Sequence, residues 1–491
     1  MSSADSIADP PANPSRGSRL GTTFTSLSER DFAWFFTGNL AFFIATQMQF
    51  VTRGYLAFQL TDSAAALGYV TAAGALPMLL GSPFGGVVAD RVNKKRLLLV
   101  TQLVATAAAS SAGILVLTDQ IEFWHLLVIG VVSGSVFAFN MPARQAIVPQ
   151  LVPRHKMMNA ISLQMGGQNL TRVVAPALAG GLIAPIGVGW VYVLIAILFV
   201  TPVFSELRIP DHGMTNTRKK SARVHQEFAE ALRYIRSDGT IGRLIVLGLV
   251  FPLFAIPLYQ LLPVFADEVF DAGAGGLGLL AASTGVGGVV GALIAAALTR
   301  YERKGRLMLV SGIWLGLLYV GFSQFDGLAP AVVFLSLGSV GGVVMQTTNN
   351  AVIQATVPDE IRGRVMAIVL MSFGLMPLGV IPLSQAADAF GPQTALLGSA
   401  IIMIVLLLVF FLVSPELRNL RVGAGRRAQL SPAQAAKLVA EGKITDAHAR
   451  ELTNIDERPL VTTQDQTSPT KASDVTTSGQ GEPRPAPTEP G

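Results

Sequence analysis

The chain contains no cysteine, which excludes a disulfide framework and any cysteine-ligated metal site. Histidine is nearly as scarce. Five residues scattered over 491 positions form no metal constellation. Charge is the third deficit. Only 14% of residues are Asp, Glu, Lys or Arg, against about 25% in soluble globular chains. Meanwhile 51% are hydrophobic before any of the 49 glycines is counted, and the mean hydropathy is +0.51. So few ionisable side chains cannot clothe a water-facing surface of this size, which rules out an ordinary soluble enzyme. No Gly-x-x-x-x-Gly-Lys-(Ser/Thr) loop occurs, which disfavours an ATP-driven pump. No paired carboxylates, Ser/His pair or His cluster lies within the apolar runs, so neither an enzyme nor a cofactor is expected.

What the chain has instead is long apolar runs. A membrane helix needs about 20 mostly apolar residues. Twelve stretches qualify: 32–60, 64–89, 95–118, 122–148, 158–184, 188–206, 241–267, 275–299, 306–324, 329–355, 364–389 and 392–413. The first 30 residues are polar and rich in Ser, Pro and Arg, with no apolar run of the signal-peptide kind.

The loops sort by charge. On one side lie Arg91, Lys94, Lys95, Arg96, Arg154, Lys156, Arg303, Lys304, Arg306, Arg362 and Arg364, joined by the basic residues of a long central loop. On the other lie Asp62, Asp119, Glu122, Asp267, Glu268, Asp271, Asp326 and Asp388, with no Lys or Arg. The positive-inside rule then places both termini in the cytoplasm of a multi-pass plasma (inner) membrane protein. The net charge of +5 and pI near 9.5 are explained by these inner loops facing anionic lipid, so nucleic acid is not an expected partner.

The sequence repeats itself. Leu67-Gly68 is matched by Leu277-Gly278 and Arg96-Leu97-Leu98 by Arg306-Leu307-Met308, both 210 positions on. Leu151-Val152-Pro153 is matched by Thr356-Val357-Pro358 at an offset of 205. The expected fold is an all-α polytopic membrane protein of 12 transmembrane helices in two pseudo-symmetric six-helix halves, 31–206 and 241–414. Segment 207–240 carries Val224, Phe228, Leu232 and Ile235 at helical spacing beside charged residues, and reads as an amphipathic linker helix at the cytoplasmic interface. Residues 1–30 and the end of the 415–491 tail read as disordered. Within that tail, Ser431-Pro432-Ala433-Gln434 marks the start of a short helical pair.

The loop after the second span reads Gly86-Val87-Val88-Ala89-Asp90-Arg91-Val92-Asn93-Lys94-Lys95-Arg96. It resembles the inter-helix motif of the major facilitator superfamily, Gly-x-x-x-Asp-Arg-x-x-(Arg/Lys)-(Arg/Lys). A small residue at Gly86 allows close packing one turn before Asp90. An acid at the membrane edge can make and break contacts, so Asp90, Arg91, Lys94, Lys95 and Arg96 form a candidate conformational latch. The second half has Arg300 in place of the acid. Further segments, in order, narrow the resemblance: Leu60-Thr61-Asp62-Ser63, Pro142-Ala143-Arg144-Gln145, Val148-Pro149-Gln150-Leu151-Val152-Pro153, Leu262-Pro263 and Val357-Pro358-Asp359-Glu360-Ile361-Arg362-Gly363-Arg364. Together they are similar to the macrolide-efflux and enterobactin-exporter branch. That resemblance implies export of small amphipathic molecules (drug-like, macrolide-like or siderophore-like) by alternating access, with the proton as driving ion. Ala175-Pro176-Ala177-Leu178-Ala179-Gly180-Gly181 departs from the span-5 signature of proton-coupled drug exporters, with Ala for its first Gly and one extra residue.

In the resembled fold, spans 1, 4, 7 and 10 line a central cavity. Polar and aromatic residues at helical spacing are therefore its candidate walls: Asn39, Phe43 and Gln47 in span 1, Phe137 and Asn140 in span 4, Gln164, Gln168 and Arg172 in span 5, and Gln346 and Asn350 in span 10. Asn and Gln equally serve as bonds between helices, and the sequence leaves both roles open. Arg53 and Arg172 within spans either meet an anionic substrate group or act as conformational ion-pair partners, and Arg53 lies within reach of the outer rim if it snorkels. Arg144 is a gate or a topology charge. Protons need a carboxylate with a shifted pKa, and the candidates are Asp90, Asp267, Glu268 and Asp388. The expected partners are thus a small-molecule substrate, the proton and the lipid bilayer, with the chain acting as a monomer. The competing readings are a non-transporting sensor or scaffold on the same fold and a lipid-like metabolite transporter.

Overall fold

The computed structural model describes residues 25–210, 224–418 and 420. The side chains at 83, 87, 90, 173, 224–228, 359 and 360 are not described. The terminal segment before residue 25 and the helical pair expected from Ser431 lie outside the described residues.

Among the described residues the chain is helical and contains no strand. Its helices are α1 (Arg30–Thr61), α2 (Ala64–Arg91), α3 (Lys94–Leu117), α4 (Phe123–Leu151), α5 (Met157–Arg208), α6 (Val224–Ser237), α7 (Gly239–Gly248), α8 (Ile256–Val264), α9 (Gly273–Ala297), α10 (Lys304–Phe322), α11 (Leu328–Thr356), α12 (Asp359–Met371), α13 (Pro377–Phe390), α14 (Pro392–Val413) and α15 (Pro415–Arg418). Among the described residues ten helical segments are long and apolar enough to cross a membrane. One of them, Arg154–Arg208, has 55 residues, and its helix breaks at Gly187 (φ 80°, ψ 162°) into two arms. Few residues other than glycine adopt that backbone. Helix α1 has the length, at 32 residues, but Asn39, Gln47, Gln49 and Arg53 dilute its hydropathy. With α1 and the second arm of α5, the helical rods number twelve, consistent with the expected count.

The internal repeat reappears in the backbone. Asp62 closes the turn between the first two rods at φ 49°, and Asp271 does so between the seventh and eighth at φ 47°. Asp tolerates this left-handed region better than most residues. Gly187 (φ 80°) and Gly391 (φ 84°) likewise turn the fifth rod into the sixth and the eleventh into the twelfth. Equivalent turns sharing one unusual conformation are what two copies of a six-helix unit require.

Prolines shape the second half. The seventh rod runs from α7 through π turns at Phe251–Ala255 and Phe265–Val269, with Pro252, Pro257 and Pro263 withholding helix donors. The eleventh rod is interrupted by a 3-10 turn, Ser372–Leu375, before Pro377.

Within each half, small residues let helices approach. A Cβ at Gly134 of α4 would strike the carbonyl of Gly74 in α2, and Cβ atoms at Gly287 and Gly291 of α9 would strike Ser336 and Val340 of α11. This is how apolar helices associate where lipid removes the hydrophobic drive. The loop after α2 refines the expected motif. Gly86 has open space around it, whereas a Cβ at its neighbour Gly85 would strike Ala138. Gly85 is therefore the glycine that permits the close contact.

Between the halves, contact is concentrated toward the end that carries the acidic loops. The first arm of α5 meets α9 where a Cβ at Gly278 would lie 2.6 Å from the Gly181 nitrogen. Helix α2 meets α13, with Gly68 against Ser384. Gln260 donates to the Thr71 hydroxyl at 2.6 Å, both residues buried. At the basic end, α6 lies against α12, and Glu230 pairs with Arg364 at 2.6 Å.

Candidate functional site: a central cavity and a buried polar cluster

Where the two halves separate below that seam lies a cavity of about 330 Å³. Gln47 and Phe50 of α1 and Arg172 of α5 face it from the first half. Phe251, Tyr259, Tyr319, Ser339 and Phe373 are among its walls from the second. Phe50 and Tyr259 stack at 6.3 Å with an interplanar angle of 19°, joining the halves at the roof. The volume falls within the usual range for small-molecule sites, and the mixture of aromatic walls with a few polar groups is what such sites are made of.

The three arginines expected inside spans differ sharply. Arg172 is exposed to the cavity and has no hydrogen-bond or ion-pair partner among the described residues. Arg53, 7% exposed, is turned into the first half beside Gly74 and Tyr192, so it does not snorkel to the acidic rim. Arg144, 3% exposed, is enclosed by polar partners. It donates to Asn140 Oδ1 at 2.5 Å, Asn39 Oδ1 at 3.3 Å, Gln102 Oε1 at 3.2 Å and Glu206 Oε1 at 3.3 Å. Its guanidinium also lies 4.1 Å from the Phe42 ring centroid, within cation–π range. Asn140 in turn donates to Thr101 at 2.7 Å, and Gln102 to the Phe199 carbonyl at 2.8 Å. The cluster ties α1, α3, α4 and the second arm of α5 together.

Of the expected cavity residues, Gln47 and Arg172 line the cavity. Asn39 and Asn140 instead spend their side chains on Arg144, because α1 and α4 are packed together at that level. Phe43 is half-buried and packs on the hydrophobic core. Phe137, Gln164 and Gln168 are half-buried and not at the cavity. Gln346 borders a separate pocket with Asn349 large enough for about one water, and Asn350 lies beside it in sequence, half-buried.

Asp267 and Glu268 are exposed at the acidic end of the seventh rod. Asp388 accepts from the Ser63 hydroxyl and the Ala64 and Ala65 amides, across the halves. In the expected latch loop, Lys95 donates to the carbonyls of Leu207 (3.3 Å) and Ile209 (2.5 Å), tying the loop to the end of α5. Arg91 and Arg96 are exposed and Lys94 half-buried, while the side chain of Asp90 lies outside the described residues.

Sequence reasoning missed two groups. Glu206, 2% exposed, reads as the last residue of a span at the water's edge, yet α5 continues to Arg208 and buries it. The signal was Arg144 itself, since a cation inside a span calls for a counter-charge. The cavity aromatics Tyr259 and Tyr319 were also overlooked, although a phenol in mid-span is a costly polar group of the same kind.

Twelve rods in two repeated halves around a central cavity define a membrane transporter of the major facilitator type. Within that class, the family described as transmembrane secretion effector matches residues 21–438, and the chain belongs to it. Similar curated proteins are a staphyloferrin A transporter of Staphylococcus aureus (24% identical, over 78% of this chain and 96% of that one) and the multidrug efflux pump Tap of Mycolicibacterium fortuitum (26%, 74% and 91%). An enterobactin exporter of Salmonella typhimurium is 26% identical over 70% of this chain and 82% of its own. Among solved structures, a bacterial homologue of the lysosomal transporter Spinster, in an inward-facing and unoccupied conformation, aligns with a TM-score of 0.63 at 15% identity, covering 82% of this chain and 98% of that one. The nucleoside transporter NupG aligns at 0.62 with 14% identity, covering 78% and 98%. The protein is a membrane transporter and not an enzyme.

Proposed function

We propose that this protein exports small amphipathic molecules by alternating access, with the two halves rocking about the central cavity and the proton gradient as the energy source. The observation that carries the reading is the cavity between the halves, bounded on one side by a seam of interlocked small residues and the Asp388 cap. The positive-inside rule puts the acidic end outside and both termini in the cytoplasm. On that reading the seam closes the outer face and the cavity is the site presented to the cytoplasm.

The relatives named as a multidrug efflux pump and an enterobactin exporter support export as the direction. The carboxylates available to carry a proton are Glu206, Asp90 and the outer group Asp267, Glu268 and Asp388. The Asp90 loop is the proposed inner latch, engaged when the inner face closes. The chain acts as a monomer, since one copy contains both halves and the cavity between them.

The test is accumulation of drugs and metabolites in cells with and without the gene. Expressing cells should retain less of the substrate, and a protonophore should erase the difference. Equal accumulation across a broad panel would refute export. A difference that persists unchanged in protonophore would remove the proton as driving ion.

A further inference from the structure

The cavity has a charge signature that its aromatic walls conceal. Among the described residues its lining includes one cation, Arg172, and no Asp, Glu, Lys or His. The other two arginines within spans are withdrawn from it, one enclosed by four polar side chains and one turned into the first half. Among the described residues Arg172 alone presents an open, unpartnered guanidinium to the space where a solute would sit.

A bare cation at bilayer depth is costly, and that cost falls when an anion pairs with it. A guanidinium is also the side chain best shaped to receive a carboxylate, by two parallel hydrogen bonds in a low-dielectric setting. A cationic solute, in contrast, would bring a like charge to Arg172 with no wall carboxylate to offset it. The remaining surface, with Phe50, Phe251, Tyr259 and Phe373, suits an aromatic or aliphatic body.

Resting on the reading of this cavity as the transport site, we propose that it selects amphipathic anions, molecules with a carboxylate or similar acid beside an apolar body, and that Arg172 receives the acid. Gln47 from the same half and Ser339 from the other face the same space and can orient the polar end.

The test uses the purified full-length protein and three dansyl probes that differ in charge: dansyl-phenylalanine (carboxylate), its methyl ester (neutral) and dansylcadaverine (ammonium). Binding is read from the probe's fluorescence. The carboxylate should bind at least tenfold more tightly than the ester, and the ammonium most weakly. Arg172→Gln should lower the carboxylate's affinity to that of the ester while leaving the ester unchanged, which also shows that the variant is folded. Arg172→Lys should keep part of the preference. An equal or ammonium-favouring order in the native protein, or a carboxylate preference that survives Arg172→Gln, overturns the inference. Thr284 of α9 also lines the cavity, so Gln47→Trp and Thr284→Trp fill it from opposite halves and separate the two claims. If probe binding persists in both, the cavity is not the site and the reading beneath the proposal fails. If both abolish binding while Arg172→Gln leaves the preference intact, only the anion selectivity fails.

Discussion

Asp388 of α13 caps a helix in the opposite half: its carboxylate accepts the Ala64 amide at 2.6 Å, at the first residue of α2. The same group takes the Ala65 amide at 3.0 Å and the Ser63 hydroxyl at 2.6 Å. Amides at a helix N-terminus lack partners within the helix and sit at the positive end of its dipole, so an anion is favoured there. Here the anion arrives from across the seam. Parting the halves at this end must break all three bonds.

Asp388→Ala should therefore shift the resting equilibrium toward separation at the acidic end. Loss of a helix cap costs about 0.5–2 kcal/mol, which corresponds to roughly a 2- to 30-fold change in population. The absence of native cysteine makes the measurement simple, because cysteines placed at Leu60 and Thr394 can carry spin labels without background. The distance distribution between them should gain a longer component in the variant. An unchanged distribution would mean that the cap does not hold the seam.

Gly278 sits where α9 crosses the first arm of α5, and the gap admits no side chain. Gly278→Val should hold the acidic end apart, lengthen the same label distance and abolish transport while the protein still inserts. A variant that transports normally would show that the halves do not need this contact.

The Arg144–Glu206 pair is buried on both sides, at 3% and 2% exposure. Removing one partner of such a pair leaves an uncompensated charge and costs about 3–5 kcal/mol. Glu206→Ala should accordingly lower the melting temperature in detergent more than Glu206→Gln, which keeps a hydrogen-bonding oxygen. The double variant Arg144→Met/Glu206→Leu should recover part of the loss, since neither charge of the pair remains. Equal melting of the native protein and Glu206→Ala would contradict the assignment.

The spans and the repeat were legible in the sequence because each rests on composition over many residues, and the structure is consistent with the expected number of spans. The offset of 210 seen in Leu67-Gly68 and Leu277-Gly278 returns as the shared backbone of Asp62 and Asp271. The walls of the cavity were less legible. Asn39 and Gln47 share a helical face, yet the surroundings of α1 change along its length. Near the basic end that face packs on α4, and two turns on it opens to the cavity. Periodicity reports which face a residue shares and says nothing about what packs there. Glu206 was hidden by a span boundary uncertain by a few residues, which is enough to move a carboxylate from water to a buried ion pair.

The same limit applies at the second-span motif, where neighbouring glycines have opposite fates. Gly85→Val should destabilise the protein by forcing α2 away from Ala138, whereas Gly86→Ala should be tolerated. Thermal unfolding of the two variants side by side distinguishes them. Equal losses would contradict the packing.

The central claim is proton-driven export through the cavity. It is tested most directly in inside-out membrane vesicles from expressing cells, whose lumen is acidified by respiration. With the dansyl probe that binds most tightly, the account predicts respiration-dependent accumulation in the lumen that collapses on adding a protonophore and is absent in Gln47→Trp. Binding without accumulation, or accumulation indifferent to the protonophore, would contradict it.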